Sequence, residues 1–346
     1  MFLEFFGLRE QPFGVSPDPR YLYLGPAHRE ALASLHYGIE ADRGFMSLIA
    51  RPGMGKTTLL FHLLAKFQHS ARTAFLFQTQ CSSREFMRFL LAEIGIESEG
   101  QDFVRMHEQF NRCLVQEARA GRRFIVVIDE AQNLDASVLE TVRLLSDFET
   151  PQAKLLQIIL VGQPGLADKL ASSALTQLRQ RITSISGLSP LSPEEVGMFI
   201  AHRLQVAGYK GPRLFSVEAQ DFIARASEGI PRNINNYCFH SLSLACAMRK
   251  KMVDNEVVHE VANDLDINRF LTEVETPSSW RGGLRGLEGE GLVPPHSSNG
   301  EGAESYRQAV ISRKPGESNL SPAEAVQHMR DVARLLQTWR SGMGRT

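Results

Sequence analysis

Between Phe45 and Ile185 the apolar residues follow two rhythms in turn. Short, nearly unbroken apolar runs at Phe45 to Ala50, Thr73 to Gln78, Phe124 to Ile128 and Gln157 to Val161, with a weaker run at Ile182 to Ile185, predict strands. Apolar positions at helical spacing between them predict helices at Thr57 to Phe67, Ser83 to Ile94, Phe103 to Ala120, Ala136 to Ser146 and Leu166 to Leu170. Strand and helix alternating in this way, with strands apolar on both faces, predict an α/β fold: a parallel sheet covered by helices on each side. Ligands of such sheets bind at the carboxyl ends of the strands.

The flanking segments read differently. Upstream, "PFGVSPDPRYLYLG" is too rich in Pro and Gly for helix, while Ala31, Leu32, Leu35 and Ile39 in "PAHREALASLHYGIEA" lie on one helical face. Past about Gly187 the strand signals stop and about three or four helices are expected, reaching to about Phe270. The first opens with Ser192 as N-cap, Pro193 at the first helical position and Glu195 closing a capping box; Val196, Phe199, Ile200, Leu204 and Ala207 form its core stripe. In "EGIPRNI", Gly229 can end one helix in a left-handed conformation and Pro231 can start the next, which fixes Arg232 in its first turn. From Thr272 to about Leu320 the chain is Gly, Ser, Glu and Pro with scattered charges, a composition that offers too little apolar surface to offset ordering. A final amphipathic helix is expected from Pro322 to Arg340, capped by Ser321 and Glu324, with Val326, Met329, Ala333, Leu336 and Trp339 on one side. It fits equally a helix docked on its own chain and one that meets a partner or a membrane surface.

Composition narrows the classes. A chain of 346 residues can bury a large core, and its net charge of -1 gives no global basic field for nucleic acid. The four cysteines, Cys81, Cys113, Cys238 and Cys246, are too scattered for a metal cluster and fit packed thiols of a reduced, cytoplasmic protein. Nowhere do some 18 apolar residues run together, so no membrane span is expected, and "MFLEFFGLREQPF" makes a poor signal peptide.

Candidate chemistry gathers at two strand ends. In "ARPGMGKTT" (Ala50 to Thr58), Gly53 and Gly55 let successive backbone N–H groups face a phosphate, Lys56 adds a mobile positive charge, and Thr57 offers a hydroxyl to magnesium. In "RFIVVIDEAQ" (Arg123 to Gln132), the strand delivers Asp129 and Glu130 to the same sheet edge, one to hold the metal and its water, the other to orient or deprotonate an attacking water. A glycine turn or an acidic strand end alone would be unremarkable; the two in this order point to ATP or GTP. The phosphate loop usually opens with glycine, and Ala50 holds that place; alanine is tolerated if φ is negative there.

Read together, "FFGLREQPFGVSPDPRYLYLGPAHREALASLHYGI", the phosphate loop, "VVIDEAQNL", "LQIILVGQPGL", "LRQRI", "LSPLSPEEV" with "HRLQVAG", and "GIPRNINNYC" resemble the ExeA/GspA-type AAA+ ATPases, the general secretion pathway protein A-like family, in order from about Phe2 to Phe270. The resemblance implies a P-loop AAA+ core with a parallel five-stranded sheet (45–188), after a lead-in (1–44) and before a small helical lid (189–270); the composition beyond it adds a largely disordered linker (271–320) and a terminal amphipathic helix (321–346). It implies ATP and Mg2+ as cofactors, with Pro52, Gly53, Met54, Gly55, Lys56, Thr57 and Thr58 cradling phosphates and Lys56 on the β- and γ-phosphates. Thr57 and Asp129 would hold magnesium and Glu130 would polarise the lytic water. Gln163 resembles the sensor-1 residue, Arg232 the sensor-2 arginine that ties lid to nucleotide, and Arg179 and Arg181 the arginine-finger region that reaches a neighbour's phosphate. Pro12, Phe13 and Tyr23 either line the adenine side or pack against the core.

The resemblance also implies a homo-oligomer with ATP at subunit interfaces and a protein partner in a secretion, export or cell-envelope system. Such relatives typically continue into a membrane span and a peptidoglycan-binding region. Here a polar linker and a short helix follow instead, which fits a cytoplasmic member, peripheral at the inner membrane at most, through its C-terminal helix. The alternative is a nucleotide-regulated DNA-binding ATPase of the transposition or replication type. Its candidate patch is Arg249, Lys250 and Lys251, equally readable as a solvated helix end, and nucleic acid is not favoured.

Overall fold

The computed structural model describes residues 2–77, 80–149 and 154–265. The linker and C-terminal helix expected from the sequence, and Gln78 at the expected end of the second strand, lie outside them.

Five strands, β1 (Phe45–Ala50), β2 (Ala71–Leu76), β3 (Arg123–Ile128), β4 (Leu156–Gly162) and β5 (Ser184–Leu188), form one parallel sheet in the order β2-β3-β4-β1-β5. Its period of two explains the unbroken apolar runs. Phe124, Val126 and Ile128 of β3 share one face with Ile158 and Leu160 of β4, under helices Ser83–Glu93, Phe103–Arg119 and Ala136–Leu145. Ile125, Val127, Ile159 and Val161 point the other way, onto helices Pro26–Glu40 and Lys56–Lys66, where Ala31, Leu32, Leu35 and Ile39 are all buried.

Two strands sit differently from the sequence expectation. β5 runs from Ser184 to Leu188, not Ile182 to Ile185, because β1 pairs Met46 with Ser184 and Ala50 with Leu188. Ile185, which carried the apolar signal, is 61% exposed on this edge strand, while Ser186 and Leu188 are buried. β2 begins at Ala71, since Arg72 can enter an edge strand by pairing with the buried Glu117.

Helices Pro193–Val206, Val217–Ala226, Pro231–Ala247 and Asn255–Leu265 follow β5. Ser192 and Glu195 close the expected capping box, and Val196, Phe199, Ile200 and Leu204 are buried. Into this helical cluster the start of the chain inserts Phe6, Leu8, Phe13 and Tyr21. The lead-in is therefore divided: its first part completes the helical cluster, while helix Pro26–Glu40 packs on the sheet. The span between them crosses the cleft described next.

Candidate nucleotide-binding site

The link from β1 to helix Lys56–Lys66 is built by two left-handed glycines, Gly53 (φ 80°) and Gly55 (φ 85°). A Cβ on Gly53 would come 2.9 Å from the Cβ of Arg232, so the loop can approach the helical cluster this closely only without a side chain there. Ala50 is not among the residues with positive φ, which is why alanine is accepted where glycine is usual.

Lys56 is buried at the start of its helix, and its Nζ donates to the carbonyls of Ala50 (3.0 Å) and Arg51 (3.4 Å). Burial pushes its pKa down, Glu130 and Asp129 pull it back up, and Arg232 opposes them. Thr57 donates its hydroxyl to Asp129 Oδ2 at 3.1 Å, so the loop and the end of β3 do converge. Asp129, also buried, accepts the Glu130 backbone N–H at 2.9 Å. Burial raises the Asp129 carboxyl pKa, and the Glu130 N–H bond is the largest effect in the opposite sense. The ammonium and the carboxylate thus occupy a weakly solvated pocket where added charge acts strongly.

Glu130 adopts a left-handed conformation (φ 51°), uncommon for a residue with a Cβ and found where surrounding contacts over-determine the backbone. Those contacts are visible. Gln163, beyond the end of β4, donates its side-chain amide to Glu130 Oε2 at 3.0 Å, and Gln132 donates to the same oxygen at 2.5 Å. Gln132 Oε1 in turn accepts the Gln163 backbone N–H at 3.1 Å, and Lys169 caps the carbonyls of Gln132 and Leu134. Sequence reasoning singled out Glu130 and Gln163 but missed Gln132, whose signal was its place two residues after Glu130.

The helical cluster closes the cleft opposite. Gly229 is left-handed as expected, Pro231 begins its helix, and the Arg232 backbone N–H donates to Gly53 O at 3.1 Å. Arg51 pairs with Glu228 at 2.9 Å, a second tie between loop and helices. The cleft, about 330 Å3, is lined by Pro52, Gly53, Met54, Gly55, Lys56, Thr57, Thr58, Glu130, Gln163 and Arg232, together with Tyr21 and Tyr23 of the lead-in. Phe13 does not line it but meets Phe215 edge to face inside the helical cluster. Pro12 does not line it either; its carbonyl accepts from Arg203. Arg179 and Arg181 also lie outside the lining: Arg179 donates to the Ala171 carbonyl at 3.2 Å and Arg181 pairs with Asp147 at 2.5 Å.

Arg203, another cleft residue missed in the sequence, is a buried guanidinium between the rings of Tyr21 (4.8 Å) and Phe199 (5.5 Å), with its Nε donating to Pro12 O at 2.6 Å. Burial lowers its pKa to about 10. Truncation leaves that carbonyl without its partner and removes the cation–π contacts that tie lead-in to helices. Arg203→Ala is expected to lower stability by roughly 2–3 kcal/mol, read as a shift in denaturant midpoint; an unchanged midpoint would show that the lead-in docks without it.

Comparison with known proteins agrees with this geometry. Residues 39–170 match a family model described as an AAA domain. The chain is 36% identical over 292 residues, 82% of its length, to general secretion pathway protein A of Aeromonas hydrophila. It is 30% identical over 160 residues, 45% of its length, to an uncharacterized HTH-type transcriptional regulator of Methanocaldococcus jannaschii. It spans about half the length of the first (51%) and 38% of the second. Among solved structures, Cdc6p from Pyrobaculum aerophilum shares the fold with a TM-score of 0.58 at 18% identity, over 73% of this chain and 70% of that one. Phosphate loop, acidic strand end, parallel five-stranded sheet and domain match agree: residues 39–170 carry an AAA domain within a P-loop AAA+ fold, and the chain is similar to general secretion pathway protein A.

Proposed function

We propose that this protein binds and hydrolyses ATP with magnesium and uses the cycle to drive assembly or switching in a secretion, export or cell-envelope system. The observation that carries the reading is the 3.1 Å contact between the phosphate-loop Thr57 and Asp129, with Lys56 and Glu130 in the same cleft. The loop amides and Lys56 bind the β- and γ-phosphates. The Thr57 hydroxyl and Asp129 carboxylate are hard oxygen donors that suit magnesium. When bound there, magnesium supplies neutralisation of phosphate charge. Glu130 takes a proton from water as the water oxygen bonds to the γ-phosphorus and the bond to the departing ADP oxygen breaks. Gln132 and Gln163 hold Glu130 Oε2, and a γ-phosphate offers Gln163 a competing acceptor.

Arg232 lies on the helical side of the cleft, so a phosphate between it and the loop draws the two together. Arg179 and Arg181, outside their own cleft, suit the finger that one subunit of a homo-oligomer offers to the next. Lys250 is held by Asp254 (2.9 Å) and Glu256 (2.5 Å), and Lys251 lies 3.7 Å from the centre of the Phe5 ring. Two of the three basic residues thus have partners within the chain, which favours the envelope-system reading over DNA. The relative named for the general secretion pathway supports the same choice.

Phosphate release from ATP by the full chain, with and without magnesium chelation, tests the reading. Turnover that ceases on chelation is expected; a chain that neither retains nor cleaves ATP in magnesium contradicts it.

A further inference from the structure

The phosphate loop leans on a side chain outside every motif that marks it. His28, in the first turn of helix Pro26–Glu40, is 3% exposed and lines the same cleft. Its Nε2 lies 3.0 Å from the Met54 carbonyl oxygen. A carbonyl only accepts, so Nε2 carries the proton, and the neutral ring then presents a bare lone pair at Nδ1. Nδ1, an acceptor in that tautomer, is buried and has no hydrogen-bond partner among the described residues. Burial also lowers the ring's pKa, which keeps it neutral.

The bond falls where the loop turns. Peptides here are trans and planar, so the Met54 C=O and the Gly55 N–H point in opposite directions. Drawing that carbonyl toward His28 sends the Gly55 N–H away from His28. The ring also stands beside the turn itself, since a Cβ on Gly55 would lie 3.9 Å from Nε2. The Met54 side chain is fully buried, so this peptide is held both by its side chain and by its carbonyl.

We propose that His28 is a positioning residue of the phosphate loop, whose Nε2–H fixes the Met54–Gly55 peptide so that the Gly55 amide faces the β-phosphate of a bound nucleoside di- or triphosphate. The proposal rests on the nucleotide-binding reading above. Without the donor, the peptide populates orientations in which this amide is turned away, and apparent affinity falls by the competent fraction. The loss concerns the β-phosphate, so a nucleoside monophosphate does not share it.

The test titrates the full-length parent, His28→Leu and His28→Gln with fluorescent ADP and fluorescent AMP. Leucine cannot donate, whereas glutamine carries an amide donor at similar reach. His28→Leu is expected to bind ADP about five- to twentyfold more weakly, with AMP affinity within about twofold of the parent, and His28→Gln is expected to regain most of the loss. His28→Met, of similar bulk and without a donor, takes the place of leucine if circular dichroism shows that variant unfolded. Parental ADP affinity in the donor-free variant, equal losses for ADP and AMP, or no rescue by glutamine overturns the proposal while the nucleotide reading stands. A parent that binds neither nucleotide overturns both.

Discussion

Glu130→Gln is expected to slow ATP turnover by about a hundredfold or more while nucleotide affinity stays within a few-fold of the parent. Glutamine keeps the size of the side chain and an oxygen able to accept from Gln132 and Gln163, which donate at 2.5 and 3.0 Å. It lacks the basicity to take a proton from water. The backbone that places residue 130 is fixed independently, through its N–H on Asp129 Oδ1, so the exchange alters chemistry before geometry. A trapped ATP state should then persist, and proteins retained by that state identify the client. Single-turnover kinetics separate the steps: parental rates of phosphate release in Glu130→Gln would mean that another group activates the water.

Lys56→Ala should abolish nucleotide retention at concentrations that saturate the parent. The ammonium is buried at the base of the cleft and donates only to the loop carbonyls of Ala50 and Arg51 among the described residues, so it is not engaged with a carboxylate there. A charge-assisted hydrogen bond to a phosphate is worth about 1.5–3 kcal/mol, or roughly ten- to over a hundredfold in affinity, before any effect on turnover. Folding should survive, because burial already disfavours this cation and its loss removes a desolvated charge. Calorimetry with a slowly hydrolysed ATP analogue reads the affinity and thermal unfolding reads the fold. Parental affinity in a folded Lys56→Ala variant would remove Lys56 from the phosphate site.

How much of this was legible in the sequence depended on how local each cause is. The three inner strands, β1, β3 and β4, were readable because both faces of the sheet are buried there, so the runs through Phe124 and Ile158 are almost wholly apolar. β5 was misplaced because an edge strand needs only one buried face, and exposed Ile185 outweighed buried Ser186 in the pattern. The phosphate loop was readable because its left-handed turns select glycine within a few residues. Gln132, Arg203 and His28 gave no such signal. Arg203 and His28 serve backbone carbonyls far along the chain, Arg203 reaching Pro12 across 191 positions and His28 reaching Met54 across 26, and a carbonyl imposes no residue type on its sequence. The division of the lead-in was equally hidden, since its aromatic residues suit burial against either the sheet or the helices.

The central claim is that the phosphate loop, Asp129 and Glu130 serve a single bound triphosphate and its metal. The most direct measurement is a crystal structure of the Glu130→Gln variant grown with ATP and magnesium. The account predicts the β- and γ-phosphates against Lys56 and the loop amides, the metal on the Thr57 hydroxyl with Asp129 holding it directly or through its water, and the γ-phosphate facing residue 130. Nucleotide seated away from the loop, or metal and phosphates held without Thr57 and Asp129, would contradict it.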